Sequence, residues 1–127
     1  MIVIDATAIV NGLLTNGESR EALEANDLHV PHLADSEVVA TLTRLARTGA
    51  VEPAGAKQAL ERWGLCGVRR HPVHGLMPRM WQLRENIKAY DATYVALAEQ
   101  LRLPLVTCDK RVARAPGARC DIVVVEG

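Results

Sequence analysis

Phenylalanine is absent from this chain of 127 residues, and two Trp and two Tyr are its only aromatics. Its core must therefore be built from Leu, Val, Ile and Ala, and an aromatic platform for stacking nucleic-acid bases is not expected. Cysteine is scarce and odd in number. Cys66, Cys108 and Cys120 contain no C-x-x-C pair, which argues against a disulfide framework and for a reducing compartment. Net charge is absent as well, since 15 Lys and Arg balance 15 Asp and Glu. No apolar run approaches the roughly 18 residues of a membrane-spanning helix, so no membrane association is expected. The first such run, Met1–Ile4, stops at Asp5 without a cationic leader, which predicts no signal peptide. Neither a G-x-G-x-x-G fingerprint nor a Walker lysine motif follows the first strand, so nucleotide-cofactor folds lose support. The expectation is one cytoplasmic domain over residues 1–127.

What is present describes an ordinary globular core. Hydrophobic residues make up 49% and charged residues 24%, which excludes intrinsic disorder. The charges are unevenly spread. Between Arg62 and Arg84 stand five arginines and two histidines but no acid, and arginine's planar fork suits phosphate. Arg69, Arg70 and Arg84 are candidate RNA contacts, although a solvated basic face would read the same way.

Short β-branched runs mark the strands: Met1–Asp5, Pro104–Cys108, Asp121–Val125 and, more weakly, Asp27–Val30. Runs with no polar alternation belong to strands covered on both faces. Helical patterns lie between them, at Ala6–Leu14, Glu18–Ala25, Leu33–Thr48, Ala54–Trp63, Gly75–Asn86 and Tyr90–Leu101. Asn11-Gly12 reads as a turn signal, and Pro53 as a first-turn residue. Strands alternating with helices predict an α/β/α sandwich around a short, mostly parallel sheet of four strands. Such a thin sheet leaves apolar helix surface uncovered, so a homodimer is expected, with Leu42, Leu45, Leu76, Met77 and Met80 as candidate contacts.

Four acids stand out. Asp5 and Asp109 each close a strand and open a helix, Asp91 lies in the first turn of an apolar helix, and Glu37 lies inside Leu33–Thr48. Singly, each has a plain explanation: Asp is a good helix cap and favours the positive end of the helix dipole. Together they suggest more. In a parallel α/β sheet, ligands bind beyond the carboxyl ends of the strands, where Asp5 and Asp109 would converge if their strands are neighbours. Converging carboxylates repel one another and call for a cation, and oxygen ligands suit Mg²⁺ or Mn²⁺. Such a centre suits phosphodiester hydrolysis. His29-x-x-His32 and His71-x-x-His74 lack the cysteine partners of a structural zinc site. Trp63 and Trp81 read as core or interface residues.

The opening Ile2–Val10, the block Asp35–Leu42 and the segments Ala89–Glu99 and Leu103–Arg111 resemble, in order, the blocks of PIN-domain ribonucleases of the VapC toxin type. The resemblance spans essentially the whole chain, apart from a middle segment, Val51–His74, without a family signature. It implies a PIN-like fold and a Mg²⁺-dependent endoribonuclease in which Asp5, Glu37, Asp91 and Asp109 are the catalytic, metal-holding quartet. Thr7 and Thr107 match supporting hydroxyls. It further implies a tRNA or rRNA substrate, a VapB-type antitoxin that blocks the nuclease, and contact with DNA only through that antitoxin. A competing reading is a catalytically weak module whose acidic pocket captures a basic peptide. A phosphatase or DNA nuclease could use the same acids.

Overall fold

The computed structural model describes residues 1–127. Five strands, β1 (Ile2–Ile4), β2 (Leu28–Pro31), β3 (Val68–His71), β4 (Leu105–Thr107) and β5 (Ile122–Val124), form one sheet in the order β3-β2-β1-β4-β5. Every neighbouring pair is parallel. The expected architecture is therefore present, and the sheet is wholly rather than mostly parallel.

Seven helices connect the strands: α1 (Ala6–Leu14), α2 (Glu18–Ala25), α3 (Leu33–Arg47), α4 (Pro53–Leu65), α5 (Met77–Gln82), α6 (Ala89–Leu101) and α7 (Lys110–Arg114). The chain builds outward from β1 to β2 and β3, then returns to place β4 on the other side of β1. Because parallel crossovers keep one hand, this reversal sends the later helices to the opposite face. Accordingly α1 packs with α2, α3 and α4, while α6 packs with α5 and against β1, β2 and β4. Val3, Ile4, Ile9, Val30, Val38, Tyr94, Val95, Leu97 and Leu105 are sealed between these layers. No helix is long and apolar enough to cross a membrane.

Four departures from the sequence reading have physical causes. The strand β3 lies in the segment without a signature. It is an edge strand whose Arg69 and Arg70 face water, so Val-Arg-Arg-His carries neither an apolar run nor clean alternation. Asn11-Gly12 is not a turn but the middle of α1. A Cβ on Gly12 would sit 2.6 Å from Leu23 Cδ1 and 2.9 Å from the Ser19 carbonyl, so glycine here permits the close approach of α1 and α2. Gly75–Asn86 is not one helix: a 3-10 turn (His74–Leu76) leads into the short α5, followed by turns. Finally, Leu42 and Leu76 are core residues, 3% exposed each, and cannot serve as the surplus surface expected for self-association.

The histidines meet across strands rather than along a helix. His29 Nδ1 on β2 lies 2.9 Å from His71 Nε2 on β3, with the rings stacked. Burial, then the neighbouring His71, holds His29 below its ordinary value, so it is a neutral ring of the interior.

Candidate active site

The reversal of strand order falls between β1 and β4, and both lead straight into helices. Asp5, immediately after β1, donates its amide to Val106 O of β4 at 3.0 Å, so the two strand ends are laced together. Asp109, two residues beyond β4, caps α7 through a 2.9 Å bond accepted from the Arg111 amide. Helices in such crossovers run against the strands, so their N-termini return to the same edge of the sheet. That brings Asp91, in the first turn of α6, and Glu37, in the second turn of α3, to the edge that carries Asp5 and Asp109.

Asp5 is the most enclosed of the four, with 4% exposure. Its Oδ1 accepts from the Ala8 amide at 3.1 Å, capping α1, and from the Thr7 hydroxyl at 2.6 Å. Thr7 also accepts from the Cys108 amide at 3.1 Å, and Thr107 accepts from the Asp109 amide at 3.0 Å. The two hydroxyls stand 3.4 Å apart. They form a bridge between the β1 and β4 ends. Glu37 receives a 2.6 Å bond from the Tyr94 hydroxyl, one turn after Asp91 on α6, which ties α3 to α6 across the sheet edge.

The electrostatics separate the four acids into three and one. Burial raises the Asp5 carboxyl above its usual range, and the hydroxyls of Thr107 and Thr7 offset this only in part. Burial also raises Asp91, with the charges of Asp5 and Asp109 adding to it. Glu37 is raised by burial and then by Asp91 and Asp5, against the lowering effect of Tyr94. Asp5, Glu37 and Asp91 form no salt bridge. Asp109 differs: the Arg111 guanidinium, at 3.1 and 3.2 Å, holds its carboxyl below the usual range.

No three Asp, Glu, His or Cys side chains close into a metal-ligand group; Asp109 is turned to Arg111 and Glu37 to Tyr94. In kind and charge the donor set nevertheless fits a hard divalent cation: it is all carboxylate oxygen, half-buried or deeper, with three members lacking a cationic partner.

A cleft beside the acids is lined by Asn86, Ile87, Lys88, Asp91, Asp109 and Arg111, among others. Lys88 and Arg111 were not singled out in the sequence; the only signal was their closeness to Asp91 and Asp109. Along the chain Tyr94 is only one of the apolar positions of the Tyr90–Leu101 pattern, and nothing there marks Glu37 as its partner. The basic segment disperses. Arg70 pairs with Asp35 at 2.7 Å, and Arg79 with Glu99 at 2.6 Å. Arg62 donates to the Leu13 carbonyl, and Arg69 is exposed on the edge strand. Arg84 is exposed beside Trp81.

Residues 2–118 match the PIN domain family. Over 125 residues the chain is 47% identical to VapC ribonuclease Mb0985 of Mycobacterium bovis, covering 98% of each. Among solved structures it superposes on PAE2754 of Pyrobaculum aerophilum with a TM-score of 0.71 at 22% identity, over 95% of this chain and 81% of that one. A toxin–antitoxin complex from Klebsiella pneumoniae gives 0.69 at 17% identity, over 98% and 97%. With residues 2–118 matching the PIN domain and near-complete alignment to a VapC ribonuclease, the chain belongs to the VapC-type branch of the PIN-domain family.

Proposed function

We propose that this chain is a metal-dependent endoribonuclease, the toxin of a toxin–antitoxin pair, with Asp5, Glu37, Asp91 and Asp109 as its working carboxylates. The observation that carries the reading is the convergence of Asp5, Glu37 and Asp91 on one sheet edge, each resisting ionisation partly or wholly by burial and none neutralised by a salt bridge. A fold keeps such a group at a cost to its own stability. Asp5, Asp91 and Asp109 would hold the ion, with Glu37 completing the ring. When bound, Mg²⁺ or Mn²⁺ supplies the missing positive charge and polarises a phosphodiester toward attack by water.

The chain's own residues do the positioning. Thr7 and the Ala8 amide fix one oxygen of Asp5, and Tyr94 fixes Glu37, so neither carboxylate has to be ordered when substrate arrives. Lys88 and Arg111 on the cleft wall offer cations to the phosphates of an RNA of the tRNA or rRNA class. The same unmet negative charge suggests how a VapB-type antitoxin would inhibit: an Arg side chain placed among the carboxylates can bridge them bidentately.

Cleavage of labelled tRNA and rRNA by the purified protein, with Mg²⁺ or Mn²⁺ and then with excess EDTA, tests the reading. Cleavage that stops in EDTA and falls by about 10²–10³-fold in Asp5→Asn, with an unchanged circular dichroism spectrum, is expected. Equal cleavage in EDTA would overturn the metal role, and no cleavage of any RNA would overturn the activity. For the antitoxin, calorimetry should show weaker binding to Asp5→Asn and Asp91→Asn; unchanged affinity would place inhibition elsewhere.

A further inference from the structure

The two tryptophans have opposite fates. Trp63 is 2% exposed and donates its indole N–H to Asp35 Oδ1 at 2.7 Å, so it is a satisfied core residue. Trp81, on α5, is 67% exposed, and Met77 one turn before it is 50% exposed. Trp81 and Met77 together make an exposed apolar patch rather than one stray residue, and such patches mark interaction sites.

Its surroundings indicate one. The Arg84 guanidinium lies 4.0 Å from the centroid of the Trp81 ring. It is pinned there by a 2.8 Å bond to the Trp81 carbonyl and by Glu85 at 3.6 Å. Trp81 and Arg84 therefore form a preassembled stack of two flat groups, and the remaining ring surface is open. Together with Met77, Met80, Ile87, Lys88 and Ala89 they line a cleft of about 330 Å³. Ile87 and Lys88 are also walls of the cleft that holds Asp91, Asp109 and Arg111. The stack and the acidic centre are thus neighbours across one pair of residues. The charges along this path are Arg84, which Glu85 offsets in part, and Lys88.

An aromatic face flanked by guanidinium and ammonium groups suits a nucleobase with its phosphate: the base stacks, and the cations meet the backbone. Only a base free of its own helix offers such a face. We propose that Trp81, with Arg84 and Lys88, forms a stacking subsite that holds one unpaired nucleotide of the RNA beside the acidic centre. This rests on the ribonuclease reading above and names the side chains that would hold the substrate beside the acidic centre. Trp81 is here a positioning residue.

The test is RNA binding by the full chain in an Asp5→Asn background, with a short mixed-sequence single-stranded oligoribonucleotide and its matched duplex as probes. Trp81 supplies its own signal, because the buried Trp63 contributes a constant emission. The single strand should quench tryptophan fluorescence on binding, and the duplex should not. Trp81→Ala should weaken single-strand binding by about tenfold or more and abolish the quenching, while Trp81→Phe restores most of the affinity. Arg84→Ala and Lys88→Ala should weaken it less and flatten its salt dependence. Parent-level binding by Trp81→Ala would overturn the subsite and leave the ribonuclease reading standing. Absence of RNA binding by the parent would overturn both. Sedimentation of the same proteins closes the remaining route: if Trp81→Ala converts a dimer to a monomer, the patch is an interface with a second copy and the subsite is rejected.

Discussion

Helix α6 carries an acid near each end, and the fold treats them in opposite ways. Glu99, in its last turn, is 13% exposed in its side chain, and burial works against its charge. Arg79 grips it with two bonds of 2.6 and 3.1 Å, and the Arg119 amide adds a third at 2.7 Å. These partners hold its carboxyl below the usual range. Asp91, two turns earlier, is also half-buried, but its strongest electrostatic neighbours are Asp5 and Asp109, and its carboxyl is raised. One end of the helix uses a carboxylate to fasten α5 and the Gly117–Arg119 segment to the core. The other leaves a carboxylate uncompensated. Structural acids are neutralised by the fold itself, whereas Arg111 and Lys88 offset this group only in part and leave charge for something that arrives from outside.

The difference can be broken at either end. The largest effect is expected on activity: Asp5→Asn or Asp91→Asn should lower RNA cleavage by about 10²–10³-fold, the cost of removing one preorganised electrostatic group from an active centre. The same variants should melt higher than the parent in metal-free buffer, since each removes a buried repulsive charge and Asn at position 5 keeps the α1 cap. A divalent ion should raise the parent's Tm and move the variants less. A lower metal-free Tm for both would show that these carboxylates serve the fold.

At the other end, Arg79→Ala should destabilise by about 2 kcal/mol without touching chemistry, because Glu99 keeps its charge and loses its fork. Denaturant unfolding measures this, and pairing it with Glu99→Gln in a double-mutant cycle should recover part of the loss.

The pH dependence sharpens the contrast further. Asp91 is raised above its ordinary 3.8, so the folded state holds its proton when the unfolded chain has released it. The stability gained by Asp91→Asn is thus present at neutral pH and vanishes as pH falls below 3.8. Glu99 is lowered below its ordinary 4.5, so its contribution is present above that value and is lost as pH falls through its folded value. The penalty of Glu99→Gln should fade in acid too, with the opposite sign. Urea midpoints of the three proteins between neutral and acid pH test both slopes. The smallest effect is expected from Tyr94→Phe. It removes the 2.6 Å bond to Glu37, costs about 1 kcal/mol, and leaves Glu37 harder still to ionise. A cleavage-rate profile displaced toward higher pH would report it.

Much of this architecture is written in local pattern. β1 and β4 are legible because strands covered on both faces need unbroken apolar runs, and α1 and α6 because most of each helix is apolar and sealed in the core; β5 shows the same apolar run although it is a half-exposed edge strand. Asp5 and Asp109 are legible because an acid between a strand and a helix stands where parallel sheets place their ligands. Tertiary structure alone decided the rest. Val68–His71 is a strand only because β2 offers it a partner edge. Asn11-Gly12 continues a helix because α2 packs closely against it. Glu37 finds Tyr94 across 57 positions of sequence, and Arg70 and Arg79 are taken out of the basic surface by acids 35 and 20 positions away. Trp63 and Trp81 are the same residue in similarly basic stretches, yet one is sealed in the core and the other stands in water. Composition and spacing determine which chemistry the chain can carry. Burial and pairing between distant segments decide which of those groups remain free to use it.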